Sequence, residues 1–318
     1  MSKRLGIVLL TAAAAIALFV GLSSTRSQGA AGPVAVYPTQ GTPVASPTSQ
    51  VSFRGASVSD LGQVTVDGSK TGHHDGTLKA HSDGNGASFV PATPFAPGET
   101  VTVRSSAASL VGAVNGAVTF TILTPPAGKP PKPQLLADPG GHPRVPQFHT
   151  RRDIQAPGLQ VLKRTAAAAP GSIFVGAKAG PGADGPAIYN GTNGQLVWFH
   201  RMPRHQSAFD FRVQQYQGGQ VLTWWQGRAI FPGEGLGVGM IYDTSYRHIA
   251  TVRAGNGYKS DLHEFQLTPQ GTALLVAYRP VSWDLTPAHG ARRAVAVDCV
   301  LQEVDVKTGL VEREWHSL

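Results

Sequence analysis

Lys259, Asp261, His263 and Glu264 fall in one short run, Gly257-Tyr258-Lys259-Ser260-Asp261-Leu262-His263-Glu264-Phe265-Gln266-Leu267-Thr268-Pro269-Gln270-Gly271-Thr272. Charge is scarce in the chain, 14% of residues, so a histidine flanked by acids is the first candidate for chemistry. An imidazole can attack an electrophile, bind an anion or move a proton near neutral pH. Strand periodicity of two puts Asp261 and His263 on one face and Glu264 on the other. Asp261 is then the partner behind the ring, and Glu264 is left for a contact with a neighbouring element. The alternative is a structural His263 satisfied by Asp261 or by strand backbone. Arg279, at the end of the following apolar run, is a weak anion-binding candidate and otherwise an ion-pair residue. Of Trp224 and Trp225, which must face opposite ways, one belongs to a core and the other to a core or an aryl pocket.

Other chemistries find little support. His73-His74 lies in a Gly/Asp-rich stretch and reads as exposed loop, short of the three or four ligands a zinc site needs. Cys299 is the single cysteine and reads as a buried small hydrophobe. No cofactor and no metal are expected. The net charge is +8, and residues 33–124 are neutral, with four basic and five acidic side chains. The excess concentrates at Lys129, Lys132, Arg144, Arg151, Arg152, Lys163 and Arg164. No helix or sheet face joins Lys/Arg to aromatics, so nucleic acid is not an expected partner.

The elements that must position these residues are strands. The 318 residues include 38 Gly and 24 Pro, which suits an all-β protein with many tight turns. Residues 1–31 open with Lys3 and Arg4 before an apolar run to Leu22 and read as a signal peptide or N-terminal membrane anchor. The expected location is extracytoplasmic, secreted or held at the cell envelope. Residues 33–124 predict strands at 50–54, 62–66, 76–81, 87–90, 100–105 and 117–123, a small β-sandwich. The pattern Phe89-Val90-Pro91 followed by Pro94-Phe95-Ala96-Pro97-Gly98-Glu99-Thr100-Val101-Thr102-Val103 resembles bacterial immunoglobulin-like modules of surface proteins. Residues 125–170 are Pro-rich and read as a linker.

From residue 171 a repeat sets in. Tyr189-Asn190, Tyr242-Asp243 and Val304-Asp305 head corresponding turns, spaced by 53 and 62 positions. A second motif, residues 211–222 against 263–274, repeats at an offset of 52. Two interleaved hairpin motifs predict four-stranded blades of a β-propeller. About three blades fit, where closure needs roughly four to eight. The expectation is an incomplete propeller, from a truncated or partial chain or one completed by a missing-blade polypeptide.

The stretch Tyr258 to Thr272, followed by Leu301-Gln302-Glu303-Val304-Asp305, Thr308-Gly309 and Trp315-His316-Ser317-Leu318, resembles the arylsulfotransferase (ASST-type) family, from about Ser172 onward. The resemblance implies a six-bladed propeller that transfers sulfuryl from a phenolic sulfate ester to a phenol, with no nucleotide donor. It implies a histidine intermediate and a pocket role for His263, binding the sulfuryl group or the phenolate, with Asp261 behind it. The family's nucleophilic histidine is expected beyond Leu318, so no catalytic residue is assigned within the chain. A reading from another class is a non-catalytic cell-surface binding or adhesion protein.

Overall fold

Gly, Pro, Asn and Asp punctuate the sequence, and short strands form between them. The computed structural model describes residues 32–128, 148–165, 167, 170–178, 182–230 and 233–318. Among these there is no α-helix, and every sheet is antiparallel. The expected leader and residues 129–147, 166 and 168–169 of the Pro-rich linker lie outside the described residues.

The first eight strands are β1 (Ala35–Tyr37), β2 (Val51–Arg54), β3 (Val64–Gly68), β4 (Gly72–His73), β5 (Gly76–Ala80), β6 (Gly86–Pro91), β7 (Thr100–Ser105) and β8 (Val118–Thr121). They form two sheets, in the orders β1-β2-β6-β5 and β4-β3-β7-β8. Alternation decides the faces: Val101, Val103, Val118 and Phe120 point inward and the intervening threonines do not. Inward residues of both sheets, with Val51, Phe53, Ala87 and Phe89 from the first, share one buried cluster. Full burial of each such side chain is worth about 1.5–3 kcal/mol. The expected exposed His73-His74 loop is only half right. His73 is exposed beside Asp67, but His74 is buried, with Nε2 2.6 Å from the Thr71 hydroxyl and its ring against Phe95.

The remaining strands are β9 (Ser172–Ala177), β10 (Gly185–Asn190), β11 (Leu196–Phe199), β12 (Ser207–Tyr216), β13 (Gly219–Ile230), β14 (Glu234–Tyr242), β15 (His248–Val252), β16 (Phe265–Leu267), β17 (Thr272–Trp283), β18 (Ala294–Asp305) and β19 (Val311–His316). They make three sheets, β11-β10-β9, β12-β13-β14-β15 and β16-β17-β18-β19, and none closes on itself. The repeat has a physical cause. Asn190, Asp243 and Asp305 each turn the chain after a strand by accepting nearby backbone N–H groups on Oδ1: Thr192, Ser245 with Arg247, and Lys307, at 2.7–2.9 Å. These are side-chain turns that favour Asn and Asp. Gln217 and Gly218, both at positive φ, close the two-residue β12–β13 hairpin.

Consecutive sheets pack through apolar layers. Ile188, Met202, Phe211, Leu222, Trp224 and Tyr242 fill the layer joining the first of these sheets to the second. Val221, Ile241, Val252, Phe265, Leu275 and Val304 fill the layer joining the second to the third. Trp224 and Trp225 are both 0% exposed, which corrects the expectation that one of them could line an aryl pocket. Their opposite directions hold, but a packed layer receives each.

The N-terminal sheets touch the last strand, β19, through polar contacts. Ser52 and Ser88 hydroxyls donate to Glu312 O and Val311 O at 2.8 and 3.2 Å. Arg54, buried, pairs with Asp83 at 2.7 Å and Glu312 at 3.1 Å and donates to His81 Nδ1 at 2.9 Å. His81, Asp83 and Glu312 are the one group of potential metal ligands among the described residues. The guanidinium already fills the place a cation would take. Burial pushes Glu312 up to about 7 even though Arg54 draws it down.

A second buried cluster lies within the last sheet. His316 donates from Nδ1 to Asp298 at 2.6 Å and from Nε2 to Glu314 at 3.0 Å, and Glu314 also accepts from Asn256 at 2.7 Å. Burial alone would lower the His316 pKa, but these two carboxylates outweigh it and hold the ring up at about 9. A raised pKa adds stability that is complete below the unfolded value of 6.5 and is lost as pH rises through about 9. Urea unfolding of the wild-type chain is therefore expected to weaken from pH 6.5 to 9, and His316→Gln to flatten that slope. Equal slopes in the two proteins would refute the assignment.

Candidate functional site

Residues 257–264 cross from the second sheet to the third, and β14 holds them from one side. Gly235, Gly237 and Gly239 share one face of β14, and the rings of Trp225 and Phe265 fill the room of the missing side chains. A Cβ on Gly237 would meet Trp225 at 2.4 Å, and one on Gly239 would meet Phe265 at 2.4 Å. Glycine in a strand interior marks such close approach. Trp225 Nε1 and the Gly237 N–H both donate to Ser260 O at 3.0 Å. From the other side, Asp261 N donates to Val276 O of β17 at 2.6 Å.

Asp261 is the centre of this crossing. Its carboxylate is 1% exposed. Oδ1 accepts the Gly235 N–H at 2.6 Å, and Oδ2 accepts both the His263 N–H, at 3.1 Å, and the His263 Nδ1–H. Strand periodicity is not what brings the two side chains together, because β16 begins only at Phe265. The backbone bends at 262–263, and the carboxylate, bonded to the N–H two residues on, makes the bend. With Nδ1 committed to Asp261, the lone pair of the neutral ring sits on Nε2. The ring is 54% exposed, and its edge faces Tyr278, with ring centroids 6.5 Å apart.

Glu264 points elsewhere and pairs with Arg212 of β12. In the repeat, Arg212 and Glu264 are equivalent positions of consecutive units. β16 is an edge strand, and β12 satisfies its backbone with side chains instead of a ladder. Phe265 N donates to Asp210 at 3.1 Å, and Leu267 N donates to Gln214 at 2.8 Å. Arg212 and Gln214 donate to Phe265 O at 2.9 and 2.8 Å. A bulge between Phe209 and Arg212, with Asp210 at φ 51, aims these groups. Burial pushes Asp210 up to about 6, against the pull of Arg212.

The structure does not bring Arg279 to His263. Arg279 is exposed and lies across from Asp298, on the face of β17 opposite to Tyr278. Tyr278 instead lies across from Cys299, whose thiol burial pushes up to about 11. Glu234, which opens β14, was missed by sequence reasoning. Its carboxyl is raised by burial and by Asp261, with His263 opposing. The alternating glycines of 233–239 were the available signal, since a strand so stripped must receive another element. His200 is half-buried among Trp198, Trp224 and Tyr242 and belongs to the aromatic layer. Of the other histidines after 212, His316 has both nitrogens bonded, His248 bonds Thr251 through Nε2, and His289 is exposed after a short 3-10 turn.

The family model for arylsulfotransferase (ASST) matches residues 212–318. Those residues form an arylsulfotransferase-family region. The region starts within β12 and takes in Arg212, Asp261, His263 and Glu264, together with Glu234 and Tyr278. It begins later than the Ser172 expected from the motifs, and the N-terminal sheets lie outside it. A search of curated proteins gives no match. Among solved structures, the S-layer protein rSbsC shares 10% identity over 86% of this chain and 45% of its own, with a TM-score of 0.24. Domains 1–6 of surface layer protein SbsC share 10% over 87% and 46%, with the same TM-score. The chain thus spans about 45% of the length of the former.

The glycine face offers a direct test of how the family region holds Asp261. A Cβ at residue 235 would stand 2.6 Å from Leu262 N and 2.6 Å from Trp225. Gly235→Ala is expected to cost about 1–3 kcal/mol of stability by overpacking, measured by urea unfolding, and to loosen the Asp261–His263 contact, seen in the His263 ring resonances. Unchanged stability together with unchanged resonances would contradict this packing.

Proposed function

We propose that the chain is an exported arylsulfotransferase-like protein that moves a sulfuryl group from a phenolic sulfate ester to a phenol through a histidine intermediate. The observation that carries this reading is His263, an imidazole with Nδ1 held by a buried carboxylate and Nε2 open, inside the arylsulfotransferase-family region. His263 Nε2 contacts the sulfuryl group or the departing phenolate, and Asp261 fixes the ring and supports positive charge on it. Arg279 takes no part in this scheme, and neither does a nucleotide sulfate or a metal. The three sheets from β9 onward are read as propeller blades, supported by their serial packing and by the turn that recurs at Asn190, Asp243 and Asp305. Residues 33–124 are read as an immunoglobulin-like sandwich, supported by the core their two sheets share. Residues 1–31 are read as the export signal or anchor and 125–170 as the linker, with the cell envelope as the site of action.

The test supplies the whole chain with the missing-blade polypeptide expected to carry the nucleophilic histidine, and uses nitrophenyl sulfate as donor and phenol as acceptor. Phenol-dependent nitrophenol release is expected, and His263→Ala is expected to lower it by about 100-fold or more, in the range for loss of one group that stabilises developing charge. Calorimetric titration of nitrophenyl sulfate is expected to weaken in the same variant. Turnover and binding both untouched by His263→Ala would overturn the role of this ring.

A further inference from the structure

Six exposed apolar side chains gather at one end of the sheets β11-β10-β9 and β12-β13-β14-β15. Leu159, Val161 and Leu162 come from the segment before β9. The first of these sheets holds that segment: Tyr189 Oη donates to Pro157 O and Ala183 N to Gln155 O, each at 2.7 Å. Val161 lies over the turn after β10, where a Cβ on Gly194 would stand 2.7 Å from it. Val197, Val213 and Tyr246 follow, lining one groove between the two sheets. Tyr246 sits at positive φ in the turn after β14 and stacks on Trp198, with ring centroids 5.0 Å apart. Contiguous exposed apolar patches mark association surfaces. The groove itself holds about 210 Å³, short of the roughly 300–1,000 Å³ of a small-molecule pocket.

Charge chooses the partner. Lys163 and Arg164 follow Leu162 directly, Arg247 follows Tyr246, and all three are exposed. The ion pairs of Lys and Arg among the described residues use Arg54, Arg151, Arg212 and Arg313 and leave these three cations out. Apolar side chains beside unpaired cations suit the boundary of an anionic bilayer, where the apolar groups enter the acyl region and the cations stay at the headgroups. A tyrosine favours that same depth. An acidic protein would meet the same charges. Here, however, the apolar residues stand on a loop and turns, with Leu162 85% exposed, and the groove is too small for a helix about 10 Å across.

We infer that this face docks the chain on an anionic lipid bilayer through Leu162, Lys163, Arg164, Tyr246 and Arg247. Docking there sets the direction of the candidate site. β13 begins at the groove, with Val221 and Leu222 in its lining. It ends at the β13–β14 turn, beside Asp261, whose Oδ1 accepts from the Gly235 N–H. Leu222 to Ile230 spans roughly 25 Å of extended strand. A bilayer at the groove end leaves His263 at the other end, turned to water.

The test uses the full chain with an environment-sensitive fluorophore on Leu162→Cys, in a Cys299→Ser background so that one thiol reacts. Mixed vesicles of phosphatidylglycerol and phosphatidylcholine are expected to move its emission to shorter wavelength, and phosphatidylcholine alone to do so only weakly. Lys163→Gln with Arg164→Gln is expected to raise the lipid concentration at half-change by about 20–30-fold on the mixed vesicles, since each cation at an anionic surface contributes about fivefold. A chain that sediments with vesicles while the fluorophore stays in water would overturn the inference, because another segment would then be the one that binds. So would a double variant that binds as well as its parent. Binding of an acidic protein through the same residues, with the fluorophore unmoved by any vesicle, would assign the face to that protein and overturn the bilayer. None of these readouts uses turnover, so their outcome is separate from that of the sulfuryl-transfer reading.

Discussion

The carboxylate of Asp261 is the constraint on which the candidate site depends. A buried carboxylate costs several kcal/mol to desolvate, and it persists only where donors replace water. Here three N–H groups do so, from Gly235, His263 backbone and the His263 ring. Each comes from a different demand of the fold: the β14 strand start, the bend before β16, and the imidazole. One side chain thus sets where two sheets meet and which nitrogen of His263 carries the proton. The tautomer follows from packing, because Oδ2 can only accept. A site built this way is oriented before any ligand arrives, and that arrangement favours interactions with developing charge.

Much of the architecture was legible because its causes are local. Turn chemistry at Asn190, Asp243 and Asp305 needs only an Asx side chain and the next few backbone amides, and a repeat of such residues is visible in any sequence. Alternation in Thr100–Ser105 or Val118–Thr121 is equally local, and the all-β character follows from it. β1 escaped because three residues carry too little periodicity. The pairing of Asp261 with His263 was anticipated through a strand that is not there. The residues are close because the chain bends, and a two-residue spacing cannot by itself separate a strand face from a side-chain turn. Trp225 and Glu234 were not legible as neighbours of this bend. Their positions come from the β13–β14 hairpin lying on the third sheet, a contact between segments some 35 residues apart (Trp225 to Ser260). Only the alternating glycines hinted that something had to fit there.

The charges of residues 33–124 give a second lesson of the same kind. Counted along the chain they balance and read as solvated surface. In three dimensions the buried Arg54 joins the exposed Asp83 to the buried Glu312, more than 200 residues later. Composition registers the sum of charges, whereas the energetics depend on which of them are buried together. Removing Arg54 would strand the buried Glu312 carboxylate, while replacing the buried pair by apolar groups need not destabilise the chain at all. The cluster is therefore better understood as fixing the alignment of β19 than as a net source of stability.

Edge strands expose a row of unpaired N–H and C=O groups and need to be covered or blunted. The last sheet covers both of its edges in the same unusual way. At β16 the backbone of Phe265 and Leu267 is met by Asp210, Arg212 and Gln214. At β19 the carbonyls of Val311 and Glu312 are met by the hydroxyls of Ser88 and Ser52, and the Val311 N–H by Gln50. Side chains, unlike a further strand, satisfy an edge without extending the sheet, so the neighbouring sheet can turn its face instead of its edge. At β16 this geometry matters chemically. Had a strand paired there by backbone, the sheet would have continued toward the exposed ring of His263. Because β12 reaches over with side chains alone, His263 keeps its exposure just before β16 while Ser260, Asp261 and Leu262 are buried.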